Sequence, residues 1–313
     1  MTIDKKYIDL LHDVSAKAAV ASYNFVGKKD KIAADKAAVD SMRNSLNKID
    51  MKGRIVIGEG ELDEAPMLYI GERLGTGDGP EFDIAVDPLE GTNFAANNLP
   101  GALAVIAMAE KSNLLNAPET YMNKIAISAS EKGIVDLDYT IKKNIKNLAE
   151  FKNTTPENIT ACLLDRPRHK EYIQELRSLG VKLKLISDGD VSGALLVTKK
   201  EYNVDIFIGI GGGPEGVLAA SALDAYDCFF QGRFLFENEK DKLRAKKMGI
   251  DNFEKKYELN EIISGDSIFC ATGITGGDLV SGIKIEKDHF ISETLITHKS
   301  SNLKKIYKSQ YNI

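Results

Sequence analysis

Short apolar runs alternate with segments of helical spacing from residue 159 to residue 226. Strands are predicted at residues 159–165, 182–187 and 204–210, and helices at residues 169–179, 191–197 and 217–226. This alternation is typical of a sheet with parallel strands, in which a helix crosses between consecutive strands. It predicts an α/β fold, and ligands of such folds bind beyond the carboxyl ends of the strands.

The rest of the chain has a less regular pattern. Helices are predicted at residues 3–25, 32–49 and 67–74, the last with Pro66 in the first-turn position that suits proline, and strands at residues 54–58, 84–86 and 103–108. A polar, turn-rich stretch at residues 154–158 predicts the boundary between a domain of residues 1–156 and a domain of residues 157–313. The lysine-rich residues 299–308 are predicted to form a solvated end.

Charge and composition exclude several classes of partner and site. A formal net charge of −5 argues against nucleic acid or an anionic membrane surface. No stretch has the length needed to cross a bilayer and no apolar segment follows the first residues, so a cytoplasmic protein is expected.

Cys162, Cys228 and Cys270 lack CxxC spacing and are expected to be buried, reduced thiols. The four histidines have no paired spacing, so carboxylates are expected to hold any metal.

Residues 82–93 combine a predicted buried strand with a cluster of oxygen ligands. Pro88 is expected to end the strand, because it has no N–H to donate to a neighbouring strand. The carboxylates of Asp87 and Glu90 and the Leu89 carbonyl can then face one point. Such hard oxygen ligands suit magnesium or manganese.

Gly91 and Thr92 follow this cluster, and their backbone N–H groups can hold a phosphate oxygen. The alternative interpretation is that the segment Asp-Pro-Leu-Glu-Gly-Thr is only a strand followed by a turn. The motif taken alone leaves both interpretations open.

Acidic residues also follow the strand predicted at residues 54–58. Residues 59–64 contain four acids, which repel one another unless a cation or several donors lie among them; a solvated acidic loop is the alternative. Gly58 and Gly60 bracket Glu59 and permit a tight backbone path that aims this carboxylate inward. Asp35, predicted in the first turn of the second helix, is either a further ligand or a residue that compensates the helix dipole.

Charged residues follow the three strands predicted after residue 158 as well. They are Arg166 and Arg168, then Asp188 and Asp190, then Glu215 after three glycines. Paired arginines suit a phosphate, and aspartates suit sugar hydroxyls or a metal, although surface charges and helix caps are the alternatives for each residue taken singly. Glu215 is predicted at the start of a helix, where a phosphate could also bind, and its negative charge would repel that phosphate. A metal ion between the Glu215 carboxylate and the phosphate would remove this repulsion. Carboxylate-held metals together with phosphate donors indicate metal-assisted hydrolysis of a phosphate ester.

Six segments jointly form a specific pattern. They are Ile-Gly-Glu-Gly-Glu-Leu-Asp-Glu-Ala-Pro-Met-Leu-Tyr at residues 57–69, Asp-Pro-Leu-Glu-Gly-Thr at 87–92, Pro-Arg-His at 167–169, Asp-Gly-Asp-Val at 188–191, Gly-Ile-Gly-Gly-Gly-Pro-Glu-Gly-Val at 209–217 and Ala-Thr-Gly-Ile-Thr at 271–275. Over nearly its full length the chain resembles the class II fructose-1,6-bisphosphatases. The wider superfamily of lithium-sensitive phosphatases usually has aspartate at the position of Glu90, so this glutamate favours the class II family.

The resemblance implies a layered α/β/α/β/α sugar-phosphatase fold and hydrolysis of the 1-phosphate of fructose 1,6-bisphosphate to fructose 6-phosphate, a gluconeogenic step that needs Mg²⁺ or Mn²⁺. The implied metal ligands are Asp35, Glu59, Asp87, Leu89, Glu90 and Glu215. The implied catalytic residues are Glu59, Asp87 and Thr92, of which Thr92 orients the attacking water. The implied substrate contacts are Glu90, Gly91 and Thr92, then Tyr121, Arg166 and Arg168 at the distal phosphate, and Asp188, Asp190 and Gly212 near the sugar.

Three alternative functions remain at this point. The first is a bifunctional enzyme that also hydrolyses sedoheptulose 1,7-bisphosphate, and the second is another lithium-sensitive phosphatase. Arg166 and Arg168 disfavour the second, because inositol and nucleotide substrates lack the same distal phosphate. The third is a non-catalytic sugar-phosphate sensor, which the intact set of carboxylates disfavours. The expected partner is a small sugar bisphosphate, and a homo-oligomer, dimer or tetramer, is expected.

Overall fold

The computed structural model describes residues 2–60, 67–128 and 133–313, and the chain divides into two compact units. The first unit combines Met1–Asn116 with Ile263–Ile313, and the second unit is Ala117–Ile262. This division differs from the boundary predicted after residue 156, which lies within the second unit.

The N-terminal part of the first unit contains two long helices followed by a group of strands. Its elements are α1 (Lys6–Tyr23), α2 (Lys31–Leu46), β1 (Lys52–Ile57), β2 (Arg73–Leu74), β3 (Glu81–Glu90), α3 (Thr92–Ala96) and β4 (Leu103–Glu110). The two helices predicted before residue 50 and the strands predicted at residues 54–58 and 103–108 are confirmed within a few residues.

The helix predicted at residues 67–74 is wrong. Leu68 and Gly71 have positive φ angles of 54° and 95°, which a right-handed helix does not contain. The backbone pairs with the first strand instead, since the Gly71 N–H donates to the Ile55 carbonyl at 2.8 Å and β2 continues antiparallel to β1. Pro66, the predicted start of this helix, lies outside the described residues.

The second unit has the predicted alternation of strands and helices. Its elements are β5 (Tyr121–Ile127), α4 (Ile141–Phe151), β6 (Thr160–Leu164), α5 (Lys170–Ser178), β7 (Lys182–Ile186), α6 (Asp190–Leu195), β8 (Ile206–Gly212), α7 (Gly213–Ala225), β9 (Phe229–Leu235), α8 (Glu239–Lys247), β10 (Lys256–Glu258) and α9 (Leu259–Ile262). Short 3₁₀ turns occur at Pro156–Asn158, Pro167–His169, Leu196–Thr198 and Lys200–Tyr202.

The sheet of the second unit is mixed and has the order β10-β9-β5-β8-β6-β7. Strand β6 pairs parallel with β7 and β8, as the alternation predicts, but β5 pairs antiparallel with both β8 and β9. Strand β5 therefore lies inside this sheet although it precedes the predicted domain boundary. For this reason residues 154–158 connect elements of one unit and do not separate two units.

The last part of the chain returns to the first unit. Its elements are β11 (Ser267–Gly273), β12 (Lys284–Glu286), β13 (His289–His298), the 3₁₀ turn Lys299–Ser301 and β14 (Leu303–Asn312). The sheet has the order β12-β13-β11-β4-β3-β1-β2, with β14 paired to β13. The prediction that residues 299–308 form a solvated end is wrong, because β14 pairs along its length with β13 and packs Tyr307 and Tyr311 against the core.

Helices α1 and α2 cover one face of the first sheet. Leu11 and Val14 of α1, Met42 of α2, and Ile84 and Val86 of β3 belong to one buried cluster. Sheets with packed helices in both units confirm the α/β class. Within the described residues, the three cysteines are buried and none forms a disulfide. None of the described helices combines the length and apolar character needed to span a membrane.

Asp266 links the N-terminal segment to the end of β13. Its Oδ2 atom accepts the Ile3 N–H at 2.9 Å and lies 2.8 Å from Nε2 of the buried His298. Burial alone would raise the pKa of Asp266, but the hydrogen bonds from His298, Ser300 and Ile3 outweigh it and lower the pKa to about 2. The ionised carboxylate therefore stabilises the folded protein above its unfolded pKa of 3.8, and this contribution is lost as the pH falls towards 2.

Asp266→Asn is expected to lower the free energy of unfolding by about 1–3 kcal/mol at neutral pH, because buried donors lose a charged acceptor. Urea denaturation of the variant and the parent protein measures the difference, which should narrow as the pH falls from 4 towards 2. Asp251→Asn, at an exposed position, is the matched control. Equal stability of the Asp266 variant and this control at pH 7 would contradict the prediction.

Candidate functional site

Strand β3 continues past Pro88, so the prediction that this proline ends the strand is wrong. Asp87 pairs with Val105 and Glu90 pairs with Leu103, so two residues of β3 lie opposite one residue of β4. This β-bulge accommodates Pro88, because a bulged residue makes no regular ladder hydrogen bond. Side chains three residues apart in a regular strand point to opposite faces. The extra residue of the bulge places Asp87 and Glu90 on the same face.

That face is turned away from α1 and α2. Ile84 and Val86 alternate into the buried cluster beneath these helices, and Asp87 therefore points to the other side. Glu90 is buried and Asp87 is partly exposed. Between the two acids, the Leu89 side chain is 2% exposed and belongs to the same buried cluster, which anchors the bulge. The bulge therefore places two carboxylates on one face of β3, and the buried Leu89 side chain holds the bulge against the core.

Gly91 turns the chain from β3 into α3. Its φ of 76° lies in the left-handed region, which glycine adopts without strain. A Cβ atom here would lie 2.8 Å from Cδ2 of Phe94, and the Gly91 carbonyl accepts the Phe94 N–H at 2.8 Å. Thr92, two residues after Glu90, is the first residue of α3. Its side chain is partly exposed.

Glu59 lies just past the end of β1, and Asp87 lies within the neighbouring strand β3. Strand β1 pairs parallel with β3, and Ile57 lies opposite Ala85. Glu59 and Asp87 each lie two residues further along, so the two acids are at similar positions along adjacent chain segments. A close approach fixes the backbone before Glu59, because a Cβ on Gly58 would lie 1.9 Å from the Leu68 carbonyl oxygen.

The Glu59 N–H donates to that Leu68 carbonyl at 3.0 Å. This tight path is the one that the flanking glycines permit, as the sequence suggests. The other acids of the segment, Glu61, Asp63 and Glu64, lie outside the described residues.

Asp35 lies beyond the first turn of α2, since the helix begins at Lys31. The expectation that it sits in the first turn is therefore wrong, and Asp30 fills the N-terminal position by accepting the Ala33 N–H at 2.9 Å. Burial raises the pKa of the Asp35 carboxyl. Asp30 is therefore the acid at the start of this helix, and the ligand role of Asp35 stays a prediction.

The donor chemistry of the first unit fits a hard divalent cation. Asp87 and Glu90 share a face, Glu59 follows the adjacent strand, and all three offer carboxylate oxygens. Over residues 2–60, 67–128 and 133–313, no group of three or more His, Cys, Asp or Glu side chains is gathered closely enough to hold a metal ion. The complete ligand set therefore stays a prediction.

Lys124 is a buried cation in the second unit that is not among the predicted site residues. Its side chain is 1% exposed, and its Nζ donates to Asp190 Oδ2 at 2.5 Å and to the Gly212 carbonyl at 2.7 Å. The available signal was a lysine that opens the apolar run Lys-Ile-Ala-Ile, since lysine is rarely buried without a partner. Asp190 and Gly212, both predicted near the sugar, are thus joined through one ammonium group.

Glu215 lies in the first turn of α7, close to this network. The residue is partly exposed as a whole, but its Oε2 atom is buried and has no hydrogen-bond partner among the described residues. Burial, reinforced by the negative charge of Asp190, raises the pKa of Glu215 to about 7, although Lys124 opposes the shift. A Cβ on Gly212 would collide with Oε2, so a larger residue there would displace the Glu215 carboxylate. An unpaired buried carboxylate oxygen suits a cation ligand.

Of the two predicted phosphate-binding arginines, Arg166 precedes the 3₁₀ turn Pro167–His169 and Arg168 lies within it. Arg168 lies with its Cζ atom 4.7 Å from the ring centroid of Tyr121, and its Nε donates to the Ile210 carbonyl at 2.9 Å. Arg166 is more exposed and lies 3.6 Å from Asp188. The structure therefore brings Tyr121 together with Arg168, and Arg166 together with Asp188, as two separate pairs.

A pocket of about 270 Å³ opens beside Glu215. Its lining comprises Glu119, Thr120, Tyr121, Gly212, Pro214, Glu215, Glu237 and Asp241. Three of these residues were predicted as site residues, whereas the acids at positions 119, 237 and 241 were not. They come from loops and the start of α8, so their approach depends on tertiary structure that local sequence patterns do not report.

The sequence of this chain is similar to known proteins over nearly its whole length. The model of the family "Bacterial fructose-1,6-bisphosphatase, glpX-encoded" matches residues 6–311. A D-fructose 1,6-bisphosphatase class 2/sedoheptulose 1,7-bisphosphatase of Prochlorococcus marinus (strain AS9601) is 41% identical over 308 residues, which cover 94% of this chain and 92% of the relative. The protein of the same name from Synechococcus sp. (strain CC9311) is 41% identical over 314 residues, covering 96% and 94%. A solved inositol monophosphatase from Anabaena matches with a TM-score of 0.33 and 12% identity over 62% of this chain and 71% of that chain.

Proposed function

This chain belongs to the family of bacterial, glpX-encoded fructose-1,6-bisphosphatases, and from that membership we propose roles for the residues of its two units. The protein is a class II fructose-1,6-bisphosphatase, a phosphoric monoester hydrolase. It hydrolyses the 1-phosphate of fructose 1,6-bisphosphate to fructose 6-phosphate and phosphate, and it depends on a divalent metal. The finer choice, Mg²⁺ or Mn²⁺, is part of the proposal.

The bulge in β3 is the observation that carries the proposed chemistry. It turns Asp87 and Glu90 to one face, and Gly91 then starts α3 so that Thr92 follows directly. Acids and a hydroxyl thus converge on one strand-to-helix turn. The proposed metal ligands are Asp35, Glu59, Asp87, Glu90, Glu215 and the Leu89 carbonyl. A divalent cation bound by these oxygens supplies Lewis-acid stabilisation of negative charge on phosphate.

The remaining steps of the proposal involve the protein's own groups. The Thr92 hydroxyl orients the attacking water in line with the scissile bond, while the Gly91 and Thr92 N–H groups bind oxygens of the reacting phosphate. Tyr121, Arg166 and Arg168 bind the distal phosphate, because the guanidinium fork matches phosphate oxygens. Asp188, Asp190 and the Gly212 segment contact sugar hydroxyls. Lys124 keeps Asp190 and Gly212 in place for that contact.

A second candidate activity is hydrolysis of the 1-phosphate of sedoheptulose 1,7-bisphosphate. It is favoured by the relatives from Prochlorococcus and Synechococcus, whose names include both activities. The terminal phosphate of a longer sugar presents the same kind of oxygens to Arg168. We also propose that the enzyme acts in the cytoplasm, where its charged substrates are dissolved, while the expected dimer or tetramer stays a prediction.

Phosphate release from several substrates tests the proposed function. We expect kcat/KM with fructose 1,6-bisphosphate to exceed that with inositol 1-phosphate by at least about tenfold, because only the former carries a distal phosphate for the arginines. The assay is run with magnesium, with manganese and with a metal-free control, and includes sedoheptulose 1,7-bisphosphate. Release from none of these substrates would support a sugar-phosphate sensor and overturn the proposal.

A further inference from the structure

One edge of β8 changes its partners along the strand. Strand β5 pairs with the other edge over the whole of β8, whereas β6 pairs with this edge only at Ile206 and Phe207. Beyond Phe207, side chains of the Pro167–His169 turn take over. His169 Nε2 accepts the Ile210 N–H at 2.7 Å, and Arg168 Nε donates to the Ile210 carbonyl at 2.9 Å. Two successive side chains therefore hold both backbone polar groups of Ile210.

The position of His169 is closely determined by its surroundings. The side chain is fully buried, and its ring packs edge-on against Tyr172 with 5.8 Å between centroids. A Cβ on Gly209 would lie 2.8 Å from Nε2, so only glycine leaves room for the ring. Burial, together with the positive charge of Arg168, lowers the pKa of His169. The ring is therefore neutral at physiological pH, which leaves Nε2 able to accept the Ile210 N–H.

Arg168 depends on this arrangement for its own orientation. Its Nε donates to the Ile210 carbonyl, and its Cζ lies over the ring of Tyr121, which begins the neighbouring strand β5. Because the Ile210 carbonyl holds Nε, the two Nη groups are the part of the Arg168 guanidinium that can bind a phosphate. A shift of the Ile210 peptide would move the anchor of the guanidinium. An arginine without its anchor has more rotamers to lose when it binds an anion.

We propose that His169 is a positioning residue that fixes the Ile210 peptide, and through it Arg168, so that the enzyme recognises the distal phosphate of its substrate. This inference rests on the proposed function in one respect, namely that Arg168 contacts the distal phosphate. His169 itself touches neither the substrate nor the reacting atoms. It contributes to the preference for bisphosphates over monophosphates and has no part in the hydrolysis of the 1-phosphate.

The test compares two substrates that share the reacting phosphate, fructose 1,6-bisphosphate and fructose 1-phosphate, with the intact protein and added magnesium. For His169→Leu we expect KM for the bisphosphate to rise about tenfold or more, with kcat within about threefold of the parent value. The kinetic constants for fructose 1-phosphate should not change. His169→Gln should restore most of the affinity, because its side-chain oxygen can accept the Ile210 N–H.

Additional variants and an unfolding measurement keep the result interpretable. His289→Leu repeats the substitution at a partly exposed histidine of β13, and thermal unfolding confirms that each variant is folded. If the leucine variant does not fold, His169→Asn serves in its place, since its shorter side chain removes the contact with less loss of polarity. Arg168→Met reports the role of the arginine directly.

Equal losses with both substrates, or an unchanged KM for the bisphosphate in the leucine variant, would overturn the inference. If Arg168→Met raises KM for the bisphosphate while His169→Leu does not, only the role of His169 fails. If Arg168→Met leaves that KM unchanged, the proposed distal-phosphate contact fails, and the inference fails with it.

Discussion

Asp87→Asn is expected to lower kcat/KM for fructose 1,6-bisphosphate by about 10³-fold. The substitution keeps the size of the side chain but removes a negative charge from the face that Asp87 shares with Glu90. A neutral amide binds a hard divalent cation more weakly than a carboxylate does. The loss should appear mainly in kcat at saturating metal, because the proposed role of Asp87 is to hold the cation that stabilises negative charge on the reacting phosphate. Steady-state phosphate release measures it.

Glu81→Gln is the matched control for this prediction. It removes a carboxylate from the same strand, but Glu81 lies at the exposed start of β3 and pairs with Lys111 at the surface. Its activity should equal that of the parent protein, since exposed ion pairs contribute little. Near-parental turnover of the Asp87 variant at saturating magnesium and manganese would show that this face of β3 does not carry the chemistry.

Lys124→Met is expected to lower the free energy of unfolding by about 3–5 kcal/mol. The side chain is of similar length and apolar, so the substitution preserves much of the packing and removes the charge. Asp190 would then be buried without its cation, and the Gly212 carbonyl would lose its donor. Chemical denaturation, followed by circular dichroism, measures the change.

The double variant Lys124→Met/Asp190→Leu separates the contribution of the ion pair from the effect of burying a lone charge. We expect it to be more stable than the single variant, because replacing both members of a buried pair costs less than leaving one unpaired. Lys182→Met, at the exposed first residue of β7, should be close to neutral. Equal losses in the single and double variants would contradict the interpretation that an unpaired Asp190 causes the instability.

Local sequence patterns predict most elements of this fold because they depend on neighbouring residues. The helical spacing before residue 50 and the alternation after residue 158 are both observed. Pairing between distant segments is not predicted in this way. Lysines at positions 304, 305 and 308 suggest a solvated end, yet the alternate tyrosines face the core and β14 completes the sheet. Strand β5 belongs to the second sheet for the same reason, since its partners come later in the chain.

The candidate site shows the same division between local and long-range information. The acids Glu59, Asp87 and Glu90 can be picked out from the sequence, because each follows an apolar run. Their shared face cannot, because the bulge at Pro88 depends on the register with β4. Lys124 and His169 were not assigned roles, since the partners that explain them, Asp190 and Ile210, lie in other elements. A buried charge or a buried imidazole becomes informative only when its partner is known.

The connectivity of the first unit has a consequence for how the protein is made. Its sheet needs β11, β13 and β14, which are translated after the second unit, and that unit is one continuous segment. During synthesis, the second unit can fold while the N-terminal helices and strands still await the partners of β4. The apolar strand β4 therefore lacks its partner on one edge until β11 has been translated, and an unpaired apolar edge is prone to aggregation during this interval.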